Sequence, residues 1–188
     1  MTDGSHTATV SNSPSARYSR ASITLHWLML ILIAAVYACM EVRGYFPRGS
    51  ALRNGLKTWH FMLGLSVLSL VAVRIIFRLS SAAPPILPAP VRWQTILAKV
   101  MHLALYALMI GMPIFGWLIL SAEGKAIPFY FFELPALVDI SKPFAHWAED
   151  LHKTGATIGY FLIGMHAAAA LFHHYVVGDN TLRRMLPK

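Results

Sequence analysis

Charged residues are scarce in this sequence. They make up 13% of the 188 residues, whereas hydrophobic residues make up 56%. Together with a mean hydropathy of +0.55, this excludes an ordinary soluble globular domain. Cysteine is nearly absent too. The single one, Cys39, excludes an intrachain disulfide and a CxxC metal site, and its place within an apolar run predicts a buried packing role.

Acidic residues are outnumbered by basic ones, 8 against 16, which gives a net charge of +8. In a soluble protein this surplus would indicate nucleic-acid binding. Here the basic residues cluster at the ends of apolar runs, and no basic–aromatic module is present, so no nucleic-acid partner is predicted. Nine basic residues fall on the side of the two termini and seven on the other. By the positive-inside rule, this small excess predicts that both termini are cytoplasmic.

Long uncharged segments dominate what is present. Four of them contain no Asp, Glu, Lys or Arg: 21–40, 58–73, 100–122 and 154–178. Each approaches or exceeds the roughly 20 residues that cross a bilayer as a helix. We therefore predict an all-α integral membrane four-helix bundle over residues 20–188, after a polar tail at 1–19. The predicted spans lie at about 21–43, 58–79, 96–121 and 147–177.

The connections between the spans differ in composition. Residues 82–90 are rich in proline, which predicts an extended connector between the second and third spans. Residues 123–147 contain glycine, prolines and several aromatic residues. We predict that they form an interfacial loop with a short helix.

Histidines within the spans are the most informative residues, because a polar side chain in lipid needs a partner. His152 and His166 are fourteen residues apart, so on one helix they share a face at two depths, about 21 Å apart. His60 opens the second span at the depth of His152, and His26 opens the first at the depth of His166. Two such pairs across a bundle suit two haems, each with two histidine ligands.

The inner pairing stays open on spacing alone. His173 lies seven residues after His166 and shares its face, and His102 lies near the inner start of the third span. Each histidine taken singly is also consistent with ordinary helix packing. Arg74, fourteen residues after His60, returns to nearly the same helix face at inner depth. It is a candidate for pairing a haem propionate, or an arginine that snorkels to the interface.

Four sequence blocks carry a resemblance to a known family. They are HW at 26–27, WH at 59–60, LHK at 151–153 and GMHAAAALFHHY at 164–175, in that order. With the segments between them, over about residues 18–187, they resemble the bacterial di-haem cytochrome b-561 family, and within it the superoxide oxidase branch. The resemblance implies a bacterial inner-membrane protein with two haem b groups between its helices.

The resemblance also implies ligands and a reaction. It assigns His26 and His166 to the inner haem iron, and His60 and His152 to the outer one. It implies an oxidoreductase that oxidises superoxide to oxygen at the periplasmic face and passes electrons to ubiquinone. The alternative is a cytochrome b subunit that anchors a dehydrogenase or hydrogenase and conducts its electrons, so a partner protein stays possible.

Two further groups of side chains are candidates for the substrates. A basic loop leads to His60 with no acidic residue in it, and it either steers superoxide or is simply solvated; its members are Arg43, Arg48, Arg53 and Lys57. Reduction of ubiquinone consumes two protons, which requires a titrating group near the quinone. His102, His173 and His174 are the inner-side candidates for this role.

Overall fold

The computed structural model describes residues 17–187, so most of the predicted polar tail, residues 1–16, lies outside it. Within the described part, four long helices account for most of the chain: α1 Arg20–Arg43, α2 Ala51–Ser80, α3 Arg92–Ala122 and α4 Lys142–Phe172. Each is long and apolar enough to cross a membrane. The predicted all-α membrane bundle is thereby confirmed.

The helices run beyond the predicted spans, mostly at their starts. α2 begins seven residues before position 58, because the Ser50 hydroxyl caps the amide of Arg53 at 3.3 Å. α4 begins at Lys142, with a proline in its first turn, where the fixed φ of that residue suits a helix start. The added turns carry the polar residues that extend each helix into the connecting loops.

The two ends of the bundle are distinct. At the loop-side end, α1 and α3 finish and α2 and α4 begin, joined by residues 44–50 and 123–141. At the termini-side end, α4 continues as a π-helical turn, His173–Val177, which stops at Gly178 with φ of 75°. Residues 123–141 hold no separate short helix, so that prediction is wrong. They contain a hairpin of two short antiparallel strands, β1 Pro128–Phe129 and β2 Phe132–Glu133.

Two apolar clusters hold the helices together. Met29 of α1 packs with Val67 and Val71 of α2, and residues of α3 cover them. Nearer the loop-side end, Leu65, Leu120 and Ile127 form a second cluster. Many large apolar side chains point outward instead, which is the surface that lipid requires rather than one that water tolerates.

α1 and α4 meet through side chains. The Tyr37 hydroxyl donates to the Ala156 carbonyl at 2.9 Å, and the Tyr160 hydroxyl donates to the Glu41 carboxylate at 2.8 Å. The two tyrosine rings lie 4.4 Å apart. These contacts close the bundle midway along α4, between the levels of His152 and His166.

The C-terminal segment closes the termini-side end. The Trp27 indole donates to the Met185 carbonyl at 2.8 Å, and the Asn180 side-chain oxygen accepts from the Leu87 amide at 2.9 Å. The buried Arg184 donates to the Pro84 carbonyl. The proline-rich connector, which is not helical, is thereby fixed against the chain that follows α4.

Candidate functional site

The outer histidine pair joins α2 to α4. The rings of His60 and His152 lie 6.0 Å apart, centre to centre. His60 Nδ1 is 3.0 Å from the Val36 carbonyl of α1, which can only accept, so Nδ1 carries the proton and Nε2 keeps a free lone pair. On α3, Gly116 faces this pair, because a Cβ there would lie 3.7 Å from His152 Cε1.

The inner pair joins α1 to α4. His26 and His166 have ring centres 6.2 Å apart. His102 of α3 stands beside them, with its ring centre 5.5 Å from that of His166. The structure thus brings His26 to His166, whereas His173 is engaged with a different residue, described below.

The distances between the ring centres can be compared with the distance that two histidines bound to one metal ion require. Two imidazoles on opposite sides of one ion have centres about 6 Å apart when each metal–nitrogen bond is about 2 Å long. The observed 6.0 and 6.2 Å fit this requirement. Over residues 17–187, no group of three or more His, Cys, Asp or Glu could hold a metal ion. Isolated histidine pairs suit haem, because its porphyrin supplies the other four ligands.

Space is also present beside the outer pair. Gly64, one helical turn after His60, is partly buried, yet a Cβ there would meet nothing within 4 Å. An open, partly buried volume next to a potential ligand is what a flat ring needs. Gly155 and Gly159 serve packing instead, since a Cβ would overlap Met112 at the first and Tyr37 at the second.

Arg74 lies at the inner pair, as its spacing from His60 predicts. Its Nη2 is 3.1 Å from His26 Nδ1. Arginine has donors only, so His26 accepts at Nδ1 and carries its own proton on Nε2. The other terminal nitrogen, Nη1, is buried and has no hydrogen-bond partner in the described part of the chain. A buried donor without a partner is costly, and an anionic acceptor would satisfy it.

The predicted proton-transfer histidines are separated in the structure. His102 belongs to the inner pair's surroundings, while His173 and His174 lie in the π-helical turn. His173 Nδ1 is 2.6 Å from the carboxylate of Asp179, which is only 2% exposed. His174 Nδ1 is buried without a hydrogen-bond partner among residues 17–187.

Asp179 is a functional candidate that the sequence analysis missed. Burial alone would raise its pKa, but hydrogen bonds from His173 and Thr181 outweigh burial and hold the pKa below its usual value. The Thr181 amide donates to the second carboxylate oxygen at 2.8 Å. The sequence signal for this residue is its position, since Asp179 is an acidic residue directly after Gly178, where the last uncharged segment ends.

The basic loop divides into different roles. Arg53 is used internally, since its Nη1 donates to the carbonyls of Arg43 and Phe46 at 3.0 and 2.8 Å. Arg48 is exposed, and the Lys57 ammonium lies 5.5 Å from the centre of the Phe61 ring. Lys125, which the sequence analysis did not select, lines a cavity of about 300 Å³ together with Lys57.

Comparison with known proteins identifies the family of the chain. Residues 17–188 match the family described as prokaryotic cytochrome b561. The chain is 39% identical over 172 residues to cytochrome b561 homolog 1 of Escherichia coli strain K12, covering 92% of this chain and 98% of the relative. It is 38% identical to the probable superoxide oxidase CybB of Yersinia pestis, covering 92% and 97%. It is also 32% identical to cytochrome b561 homolog 2 of Escherichia coli, covering 94% of each. The chain therefore belongs to the prokaryotic cytochrome b561 family of haem b-binding membrane electron-transfer proteins.

Proposed function

We propose that the chain is a superoxide oxidase that reduces ubiquinone and binds two haem b groups. The main observation behind the proposal is that two histidine pairs lie at two levels of one bundle. The ring centres are 6.0 Å apart in the outer pair and 6.2 Å apart in the inner pair. His60 and His152 hold the outer haem, and His26 and His166 the inner one. When bound, haem supplies reversible one-electron transfer at its iron.

Superoxide is oxidised at the loop-side end, which faces the periplasm of a bacterial inner membrane with both termini cytoplasmic. The substrate supports this assignment, because superoxide is an anion and this end carries Arg48 and Lys57. The Lys125 ammonium beside Lys57 is paired with the Glu123 carboxylate at 2.9 Å, so it contributes less to the attraction. Positive side chains around a cavity raise the encounter rate of an anion in a salt-dependent manner. Loss of one electron converts superoxide to oxygen and needs no proton, so these side chains attract the substrate and perform no acid–base step.

Ubiquinone is reduced at the termini-side end. Conversion of one ubiquinone to ubiquinol takes two electrons, from two superoxide ions, and two protons. His173 is the best-placed proton donor among the three predicted histidines. Its Nδ1 is held by the Asp179 carboxylate at 2.6 Å, which fixes the ring and leaves Nε2 as the nitrogen that exchanges a proton with the quinone. His102 and His174 are the other candidates for contact with the quinone.

The test begins with haem. Purified protein is assayed for its reduced-minus-oxidised spectrum and for extractable haem per chain, and two b haems are expected. Superoxide is then supplied enzymatically, and ubiquinol formation is measured with and without added superoxide dismutase. Dismutase-sensitive ubiquinol formation is the expected result. Two haems without that activity would refute the superoxide reaction and favour an electron conduit for a partner dehydrogenase or hydrogenase.

His173 provides a separate test of the quinone step. His173→Phe is expected to slow ubiquinone reduction about a hundredfold, the lower end of the range for loss of a proton-transfer group. Both haems should remain, because the side chain is not one of the four proposed ligands. Loss of a haem from this variant would contradict the assignment.

A further inference from the structure

The hairpin at the loop-side end has an aromatic tip, residues 129–132, that the rest of the described chain leaves largely uncovered. Phe131 is 99% exposed, Phe132 57% and Tyr130 49%. No charged residue lies between Lys125 and Glu133. Exposed aromatic side chains so concentrated are costly in water, at about 25 cal/mol for each Å² of apolar surface. Something other than water is therefore expected to cover them.

The position of the hairpin against α2 indicates what covers it. Ile127, just before β1, is buried against Leu65 and Leu120. The Tyr130 hydroxyl lies 2.9 Å from the hydroxyl of Ser66. Ser66 is eight residues past the start of the uncharged part of α2 at position 58, about 12 Å along the helix. The hairpin thus folds back from the end of α3 and lies beside the uncharged part of α2, which is the part expected to lie within the bilayer.

Tyr130 is held in an unfavourable backbone conformation to make this contact. Its φ is 54°, at the first position of a two-residue turn where glycine is the usual residue. Such a residue costs of order 1–3 kcal/mol and persists only where its surroundings fix it. Here Tyr130 is fixed by its hydrogen bond to Ser66 and by the ring of Phe129, whose centre lies 5.1 Å from that of the Tyr130 ring. The side chain of Tyr130 thus contacts α2 at Ser66, whereas that of Phe131, the next residue, is left exposed.

We propose that residues 129–132 insert into the loop-side leaflet of the bilayer and that lipid covers Phe131 and Phe132. Aromatic side chains are favoured at the boundary between headgroups and acyl chains, which lies about 5–10 Å into the membrane surface. The turn cannot go deeper, since its unpaired backbone groups need water or headgroups. The uncharged tip and its level on α2 favour lipid over a protein partner.

Insertion has a consequence for the neighbouring cavity. Pro128 of β1 lines the cavity of about 300 Å³ that also contains Lys57 and Lys125. An anchored hairpin therefore places this cavity near the boundary between water and lipid. This inference does not depend on the identity of the substrate, because it concerns only where the hairpin lies.

Spin labelling measures the position directly. Cys39 is replaced by alanine, and single cysteines are introduced by Phe131→Cys, by Phe161→Cys on the exposed face of α4, and by Asp139→Cys in the same loop. Phe161 is 69% exposed in the middle of an apolar helix and reports lipid, whereas the exposed Asp139 reports water.

Each nitroxide-labelled protein is reconstituted in phosphatidylcholine–phosphatidylglycerol vesicles. Collision with oxygen and with a water-soluble nickel complex is then measured, after the haem spectrum has confirmed folding.

We expect the oxygen-to-nickel collision ratio at position 131 to approach that at 161 and to exceed that at 139 clearly. A ratio at 131 equal to that at 139 would place the tip in water and overturn the proposal. Low collision with both reagents would mean that a second copy of the chain covers the tip, which also overturns it. Phe132→Cys is measured in parallel. A lipid-like ratio at both positions reports where the hairpin lies, whereas a lipid-like ratio at 131 alone would be an effect of the label at that position.

Discussion

Arg74 Nη2 lies 3.1 Å from His26 Nδ1, and the guanidinium is the donor. In this arrangement the His26 proton is on Nε2, but ligation of iron through Nε2 requires the proton on Nδ1. Under the proposed ligation, the Arg74–His26 hydrogen bond and haem binding therefore exclude each other. The released guanidinium needs an acceptor, and the anionic propionate of the inner haem is the acceptor we propose.

Replacing Arg74 with methionine should act on the inner haem alone. Loss of a partly buried positive charge favours the oxidised iron, so the midpoint potential of that haem should fall, on the order of 50 mV for an effect of about 1 kcal/mol. Redox titration of the two haems measures this. Arg78→Met is the matched control, because Arg78 lies one turn further along α2 and packs over Tyr18. Equal shifts in both variants would contradict a specific role for Arg74.

The four proposed ligands can be tested by haem content. His152→Ala should lose the outer haem and keep the inner one, while His166→Ala should do the reverse, because under the proposed ligation each pair would hold one haem. Extractable haem per chain should fall from about two to about one in each case. His146→Ala, an exposed histidine outside both pairs, should retain both haems. Two haems in His152→Ala would exclude that ligand.

The basic loop should respond differently at its different residues. Neutralising Arg48 and Lys57 together should lower the rate of superoxide oxidation several-fold at low salt and flatten its salt dependence, as expected for electrostatic steering. Arg53→Gln should mainly lower the thermal midpoint, because it removes hydrogen bonds to the Arg43 and Phe46 carbonyls. Stopped-flow rates between low and high ionic strength, with melting curves, separate the two effects. An unchanged salt dependence would show that these charges are merely solvated and do not steer superoxide.

Asp179 should make stability depend on pH. Its pKa is lowered because the hydrogen bonds from His173 and Thr181 outweigh the opposing effect of burial. The ionised form therefore stabilises the fold above the ordinary pKa, and that stabilisation is lost as pH falls through the lowered one. Asp179→Asn should lower the thermal midpoint at pH 7, by about 1–3 kcal/mol in unfolding free energy. The difference from wild type should shrink towards pH 3. Asp139→Asn is the exposed control, and the same pH dependence in both variants would rule out a special role for Asp179.

Much of this arrangement was predictable because it follows from helix geometry. Uncharged segments of bilayer length predicted four helices. The fourteen-residue spacing of His152 and His166 predicted one face at two depths, and the structure brings His60 and His26 to those levels. Which histidine meets His26 was open on spacing. Neighbouring contacts decide it, since His173 bonds to Asp179 instead.

The loops were less predictable for a physical reason. Strands of two residues, as in β1 and β2, are too short to show an alternating pattern, so residues 123–147 gave no strand signal. Arg53 shows the same limit for charge. A run of basic residues predicts a positive surface, but only tertiary contacts reveal that this guanidinium binds backbone carbonyls.

Gly159 should be intolerant of even a methyl group. A Cβ at this position would overlap the Tyr37 hydroxyl and approach Leu108 within 3.2 Å. Tyr37 cannot simply turn aside, because its hydroxyl donates to the Ala156 carbonyl and its ring packs on Tyr160. Gly159→Ala should therefore destabilise the bundle by about 1–3 kcal/mol, the usual cost of overpacking. Melting of the haem-loaded protein in detergent measures the loss.

Two further variants show whether the cause is this contact. Gly164→Ala lies on the same helix, where a Cβ meets nothing within 4 Å, and it should melt close to wild type. Removal of the Tyr37 hydroxyl relieves the overlap, so the cost of Gly159→Ala should be smaller in a Tyr37→Phe background than in the wild type. Additive losses from the two substitutions would show that position 159 and Tyr37 do not press on each other. The closure of the bundle between its two histidine pairs would then have to depend on other contacts, such as that of Tyr160 with Glu41.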